Sequence, residues 1–270
     1  MYNFRYHKAQ TIENATSLIA QSDDPKILAG GHTLIPTLKQ RLSQPSDIID
    51  ISSIDELKAI TLVNGYITIG ALCTHSQISN SPDIKKNLPG LAELANQIGD
   101  PQVRHKGTIG GSVANADPAA DYPAAVLALE GEIMTSIENH LAANFFVDMF
   151  ETALVSDEII TGIRLKIPNS STYKKFRNPA SGYAMVGVFM ARYDNDVKIA
   201  VTGASSSAYR MEDLEGLLNI NFNNDIMADI DIDTTNFNDD IHASAKYRGC
   251  LLYTSPSPRD RTRSRMPSSA

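Results

Sequence analysis

The chain has 270 residues, 42% of them apolar and 20% charged, with a formal net charge of -7. A chain of this length buries roughly three quarters of its unfolded surface on folding, enough for one large or two medium domains. The acidic balance excludes a general nucleic-acid binder and two cysteines exclude a disulfide scaffold; with no apolar run long enough for a membrane span and no secretory start in residues 1–6, a cytoplasmic protein is expected.

Ile12, Ala15, Leu18 and Ile19 recur at helical spacing, and Lys26-Ile27-Leu28-Ala29 reads as a short buried strand running into Gly30-Gly31. Thr33 is placed to cap a helix over 34–42, with Pro36 tolerated in its first turn. A second strand, Asp47-Ile48-Ile49-Asp50-Ile51, completes a small α/β lobe over about 1–55. Asn64-Gly65, between Ile60-Thr61-Leu62-Val63 and Tyr66-Ile67-Thr68-Ile69, is a hairpin signal. Helices are expected over 88–98 and 118–129, separated by a long loop, 99–111.

A strand over 159–167 stops at Pro168-Asn169-Ser170-Ser171, which is the boundary expected between a first domain, 1–168 (larger lobe 56–168), and a second, 172–249. In the second, 173–176, 184–193 and 197–203 read as three strands and 211–218 and 241–248 as helices, while 219–240, rich in Asn and Asp, reads as a solvated connector. From Cys250 onward five Ser, four Arg and three Pro occur without any structural period. The run Cys250-Leu251-Leu252-Tyr253-Thr254-Ser255-Pro256-Ser257-Pro258-Arg259-Asp260 resembles a translated sequencing adapter, so 250–270 is expected to be non-native and the second domain to be truncated near Gly249.

Chemistry is carried by two glycine turns, Ala29-Gly30-Gly31-His32-Thr33 and Gly107-Thr108-Ile109-Gly110-Gly111-Ser112. Neither has the Gly-x-Gly-x-x-Gly spacing of the usual nucleotide fold. The first leads into a helix, so unpaired N–H groups and a helix N-terminus face outward; the second, read as extended loop, offers a nest of N–H groups. Two anion sites in one domain fit the two phosphates of a dinucleotide.

These turns resemble those of the FAD-binding (medium) subunit of molybdenum hydroxylases, the carbon monoxide dehydrogenase medium-subunit and xanthine dehydrogenase FAD-domain family. The likeness extends through Ile98-Gly99-Asp100-Pro101-Gln102-Val103-Arg104, Ala116-Asp117-Pro118-Ala119-Ala120-Asp121, Phe150-Glu151-Thr152-Ala153-Leu154 and Ala243-Ser244-Ala245-Lys246-Tyr247-Arg248. It implies an α+β fold: a two-lobed FAD-binding domain of the vanillyl-alcohol-oxidase (PCMH) type, then a small α+β domain with a three-stranded sheet. By the resemblance, Ala29, Gly30, Gly31, His32 and Thr33 with Thr108, Ile109, Gly110, Gly111 and Ser112 hold the pyrophosphate and ribityl of FAD. Asp121 accepts from a flavin or sugar hydroxyl, Ile98 and Ile160 form apolar walls, and Arg177 matches a basic position near the flavin. Ser112 stands where many relatives have Asn.

Other readings of the same residues are plain structural ones. Asp117 and Asp121 are placed to cap a helix starting at Pro118, and Arg104-His105-Lys106 is either a solvated face or a help in neutralising a diphosphate. His32 has no second ligand at metal spacing, and Cys73 reads as a small buried hydrophobe. With too few thiols for an iron–sulfur cluster and no nucleophile–base pair, the chemistry belongs to the cofactor. The resemblance implies electron transfer through FAD, between a large molybdenum-cofactor subunit with a small two-cluster iron–sulfur subunit and an external acceptor. An independent PCMH-type flavin oxidoreductase and a cofactor-less assembly protein are the alternatives.

Overall fold

The computed structural model describes residues 1–220 and 232–254. Strands β1 (Arg5–Lys8), β2 (Pro25–Leu28) and β3 (Asp47–Asp50) form a parallel sheet in the order β1-β3-β2, with helices α1 (Ile12–Ala20) and α2 (Leu34–Lys39) as the crossovers. Strand β1 is recruited through charge: the buried Asp47 accepts two hydrogen bonds from Arg5, at 2.9 and 2.8 Å, and one from His7 at 2.7 Å. The Arg5 guanidinium and the Ser46 hydroxyl hold the Asp47 carboxyl well below the usual carboxylate range. Helix α2 stops three residues short of the expected 42, where Arg41 turns into the left-handed region at φ 60°.

The larger lobe begins with the hairpin β4 (Ile60–Val63) and β5 (Tyr66–Gly70), whose turn residues Asn64 and Gly65 take φ 49° and 79°, as a two-residue hairpin loop requires. A run of short helices follows: α3 (His75–Asn80), α4 (Pro82–Asn87), α5 (Pro89–Asn96), α6 (Pro101–Lys106), α7 (Ile109–Asn115) and α8 (Tyr122–Ala128). Strands β6 (Glu132–Thr135), β7 (Asn139–Leu141), β8 (Phe146–Asp148), β9 (Glu151–Thr152) and β10 (Ile160–Lys166) complete the lobe. The main sheet is antiparallel in the order β4-β5-β10-β6-β7, and β8 pairs with β9 in a separate ribbon.

The remaining chain forms an antiparallel sheet of β11 (Ser170–Arg177), β12 (Ala184–Arg192), β13 (Val197–Thr202) and β14 (Tyr209–Arg210), with helices α9 (Glu212–Ile220) and α10 (Ala245–Thr254). The sheet has a fourth, two-residue strand beyond the three expected. Ser170 and Ser171, expected in a turn, already belong to β11, and one apolar core continues from Leu91 and Tyr122 into Tyr173, Phe189 and Ala200. Half of the expected connector, 221–231, lies outside the described residues, as does 255–270. Helix α10 runs five residues past Gly249 and buries Leu251 and Leu252, so the aperiodic composition from Cys250 onward does not end the secondary structure there. Arg248 anchors this helix, donating to Met185 O at 2.7 Å, Gly203 O at 2.8 Å and Asn238 O at 3.0 Å.

Candidate functional site: a cleft between two glycine turns

After β2 the chain passes through Ala29, Gly30 and Gly31, where Gly31 takes φ 75°, and enters α2. Gly30 is required by a close approach: a Cβ there would lie 2.2 Å from Lys106 O and 2.9 Å from Gly107 Cα. The first turn therefore rests directly on the entrance to the second. Thr33 makes no side-chain cap on α2, contrary to expectation, because its backbone is already helical. The main-chain N–H groups of Gly30, Gly31, His32 and Thr33 have no acceptor among the described residues. Four donors without a partner among the described residues, on a turn that lines the cleft, suit an anion.

The second turn is not an extended loop. Thr108 caps α7, its Oγ1 accepting from Gly111 N at 3.2 Å, and Asp100 likewise caps α6 through Val103 N at 2.9 Å. Ile109 N donates to Cys73 O at 3.1 Å and Gly110 N to Ala71 O at 2.9 Å, so these two amides are committed inside the protein and are not part of a nest. Gly110 is small for packing, since a Cβ there would lie 2.6 Å from that of Ala71. Helix α7 is amphipathic in an unusual sense. Ile109 and Val113 are buried in the core, while the small or polar Thr108, Gly110, Gly111, Ser112 and Asn115 line a cleft.

That cleft has a volume of about 610 Å³, within the ordinary range for a small-molecule site. Both glycine turns line it: Ala29 to Thr33 from one side, and Thr108, Gly110, Gly111 and Ser112 from the other. Ile98, Asp121 and Ile160 also line it. Two expected residues do not. Ile109 is buried in the core, and Arg177, exposed at the end of β11, does not line the cleft itself but stays beside it: a Cβ on the cleft-lining Gly182 would lie 3.1 Å from its guanidinium, and its charge pulls the Asp121 carboxyl down.

Lys175, two residues earlier on the same strand, lines the cleft wall. Its side chain is 0% exposed and its Nζ lies 2.9 Å from the Asp121 carboxylate, which also accepts from the Tyr173 hydroxyl. Burial pushes the Asp121 carboxyl above its ordinary value, against the pull of the Lys175 ammonium and the Tyr173 hydroxyl. Asp121 does not cap α8, nor does Asp117, whose Oδ1 accepts from Ala119 N at 2.9 Å. The helix starts four residues after Pro118 because the second sheet holds the intervening carbonyls. Thr202 Oγ1 donates to Pro118 O and Ala120 O, Gly203 N to Pro118 O, and Ala184 N to Ala119 O.

Two buried titratable groups underlie the second turn. The Cys73 thiol is pushed up to about 11 by burial, which makes it unreactive at neutral pH. His75, 5% exposed, has Nδ1 3.1 Å from the Tyr122 hydroxyl and is pushed down to about 4, first by burial and then by the charges of His32 and Arg104. The unfolded chain takes up this proton near pH 6.5 and the folded chain only near 4. Stability contributed by neutral His75 is therefore full above pH 6.5 and lost as pH falls toward 4, by about 3 kcal/mol in all. Denaturant titrations of the full chain at pH 7 and pH 4.5 are expected to show this slope, and His75→Gln to flatten it; an unchanged slope in the variant contradicts the assignment.

Comparison with known proteins identifies relatives of this chain. A family profile described as the FAD binding domain in molybdopterin dehydrogenase matches residues 2–170. The chain is 36% identical over 262 residues to the nicotine 6-hydroxylase medium subunit of Paenarthrobacter nicotinovorans, covering 92% of this chain and 93% of that one. It is 36% identical over 222 residues to the carbon monoxide dehydrogenase medium chain of Hydrogenophaga pseudoflava, covering 77% of each. A solved structure of carbon monoxide dehydrogenase from Hydrogenophaga pseudoflava superposes with a TM-score of 0.83 at 30% identity, covering 93% of this chain and 94% of that one.

Proposed function

This chain belongs to the family of FAD binding domains in molybdopterin dehydrogenases, and on that premise we propose that it is the FAD-binding, electron-transferring subunit of a molybdenum hydroxylase complex. The observation that carries this reading is the meeting of the two glycine turns across one cleft, with four unpaired amides on the first. The amides of Gly30 to Thr33 would hold the pyrophosphate, and the hydroxyls of Thr108 and Ser112 would serve the adjoining phosphate and ribityl oxygens. Asp121, already fixed by Lys175 and Tyr173, keeps lone pairs for a flavin or sugar hydroxyl. Ile98 and Ile160 flank the ring and exclude water.

Bound FAD would supply the capacity to accept electrons and release them singly or in pairs. The chain itself supplies no acid, base or nucleophile to a substrate; it binds and orients. Substrate oxidation then belongs to a large molybdenum-cofactor subunit and electron relay to a small two-cluster iron–sulfur subunit, in the cytoplasm. Among the described residues no helix is long and apolar enough to cross a membrane. The test is reconstitution of the purified full chain with FAD. One tightly bound flavin per folded chain is the expected result; a folded chain that retains none contradicts the reading.

A further inference from the structure

His75, the first residue of α3, packs against the entrance to the second glycine turn. Its main-chain N–H donates to Gly107 O at 3.0 Å, and a Cβ on Gly107 would lie 2.5 Å from its Nε2. Gly107 is also the residue on which Gly30 of the first turn rests. The imidazole therefore lies at the seam where the two turns meet, 5% exposed and part of the cleft wall.

The position of the proton on this ring follows from the donors and acceptors around it. The Tyr122 hydroxyl is fully buried, and its one hydrogen-bond partner among the described residues is His75 Nδ1, at 3.1 Å. A hydroxyl proton in the core needs an acceptor, so Tyr122 donates and Nδ1 accepts. The single proton of the neutral imidazole is then on Nε2. Burial keeps the ring neutral, helped by the charges that face it, His32 on the first turn and Arg104 on α6.

Among the described residues Nε2 has no acceptor, yet it is not sealed in the protein. The sealed side-chain N or O atom without a partner there is the Tyr193 hydroxyl alone. A ring N–H that reaches the cleft wall with nothing in the protein to accept it, beside His32 and Arg104, suits an anionic acceptor.

We propose that His75 contacts the cofactor directly, donating its Nε2 proton to a diphosphate oxygen at the seam of the two turns. The inference rests on the function proposed above, and adds to the main-chain donors of the first turn a side-chain donor whose tautomer Tyr122 fixes. Tyr122 follows Asp121 in the chain, so one short segment serves both the diphosphate and the hydroxyl end of the cleft.

The test is FAD affinity of the full-length apoproteins, measured by fluorescence titration. His75→Asn places an amide oxygen where Nδ1 was, which keeps an acceptor for Tyr122 and removes the donor at Nε2. It is expected to bind FAD about tenfold to a hundredfold more weakly, the scale of one hydrogen bond to a charged group. His75→Gln restores an N–H near the Nε2 position and is expected to recover affinity to within about threefold of wild type. A second measurement does not require the Asn variant to fold: NMR of the wild-type chain with isotopically labelled histidines, the His75 signals being those lost in His75→Gln. The ring proton is expected on Nε2 before FAD is added and protected from exchange with water afterwards. Wild-type affinity in His75→Asn, affinity in His75→Gln as weak as in His75→Asn, a ring proton on Nδ1, or an Nε2 proton that exchanges as freely with FAD as without it overturns the proposal. A folded wild-type chain that binds no FAD strikes instead the function on which the inference rests.

Discussion

Gly30→Ala is expected to weaken FAD binding by about 5- to 150-fold, equivalent to the roughly 1–3 kcal/mol that overpacking a rigid site costs. The added methyl meets backbone on the far side, at 2.2 Å from Lys106 O and 2.9 Å from Gly107 Cα, so no side chain can swing away to receive it. One turn must retreat from the other, and the four amides of the first turn lose their position. Gly216→Ala is the matched comparison: that glycine lies within α9 and a Cβ there meets nothing within 4 Å. It is expected to stabilise the chain by up to about 1 kcal/mol and to leave FAD affinity unchanged. Fluorescence titration of each apoprotein with FAD distinguishes the two; equal affinity in Gly30→Ala and wild type contradicts the role given to the contact between the turns.

Lys175→Met is expected to destabilise the folded chain by about 3–5 kcal/mol, because it leaves the Asp121 carboxylate buried without its ion-pair partner, the Tyr173 hydroxyl remaining as its side-chain hydrogen bond. The double variant Lys175→Met with Asp121→Asn removes both charges and is expected to recover much of that loss. A surface pair such as Asp24 and Lys26, with side chains 54% and 47% exposed, offers a scale: its removal should cost no more than about 1 kcal/mol. Chemical denaturation of the four proteins supplies the comparison. A double variant less stable than Lys175→Met alone contradicts a charge-pair account. Since Asp121 lies in the first-domain segment and Lys175 on β11, the same variants report how firmly the second sheet closes the cleft.

Local signals in the sequence carried the elements that local chemistry determines. The Asn64-Gly65 hairpin, the helix of Ile12 to Ile19 and the strand before Gly30 all form where turn residues and apolar spacing place them, although that strand, expected to be buried, is half-buried with Lys26 exposed. Helices α6 and α7 were hidden in an expected loop because Gly107, Gly110 and Gly111 read as a bend. Yet Asp100 before Pro101 and Thr108 three residues before Gly111 are ordinary N-cap signals, and Ile109 with Val113 gives the buried face. That error exchanged the roles of the amides: the second turn spends two of its N–H groups on Ala71 and Cys73, and the first alone leaves a set unpaired. Lys175 lay outside reach for another reason. Its partner is 54 residues away, so no local spacing signals the pair.

The account depends most on where the pyrophosphate sits, and a crystal structure of the full chain with FAD bound tests that directly. Its phosphate oxygens are expected within hydrogen-bonding distance of the Gly30 to Thr33 amides, with the Ile109 and Gly110 amides still on Cys73 O and Ala71 O. A pyrophosphate outside the cleft, or one that draws the Gly110 amide away from Ala71, would contradict it.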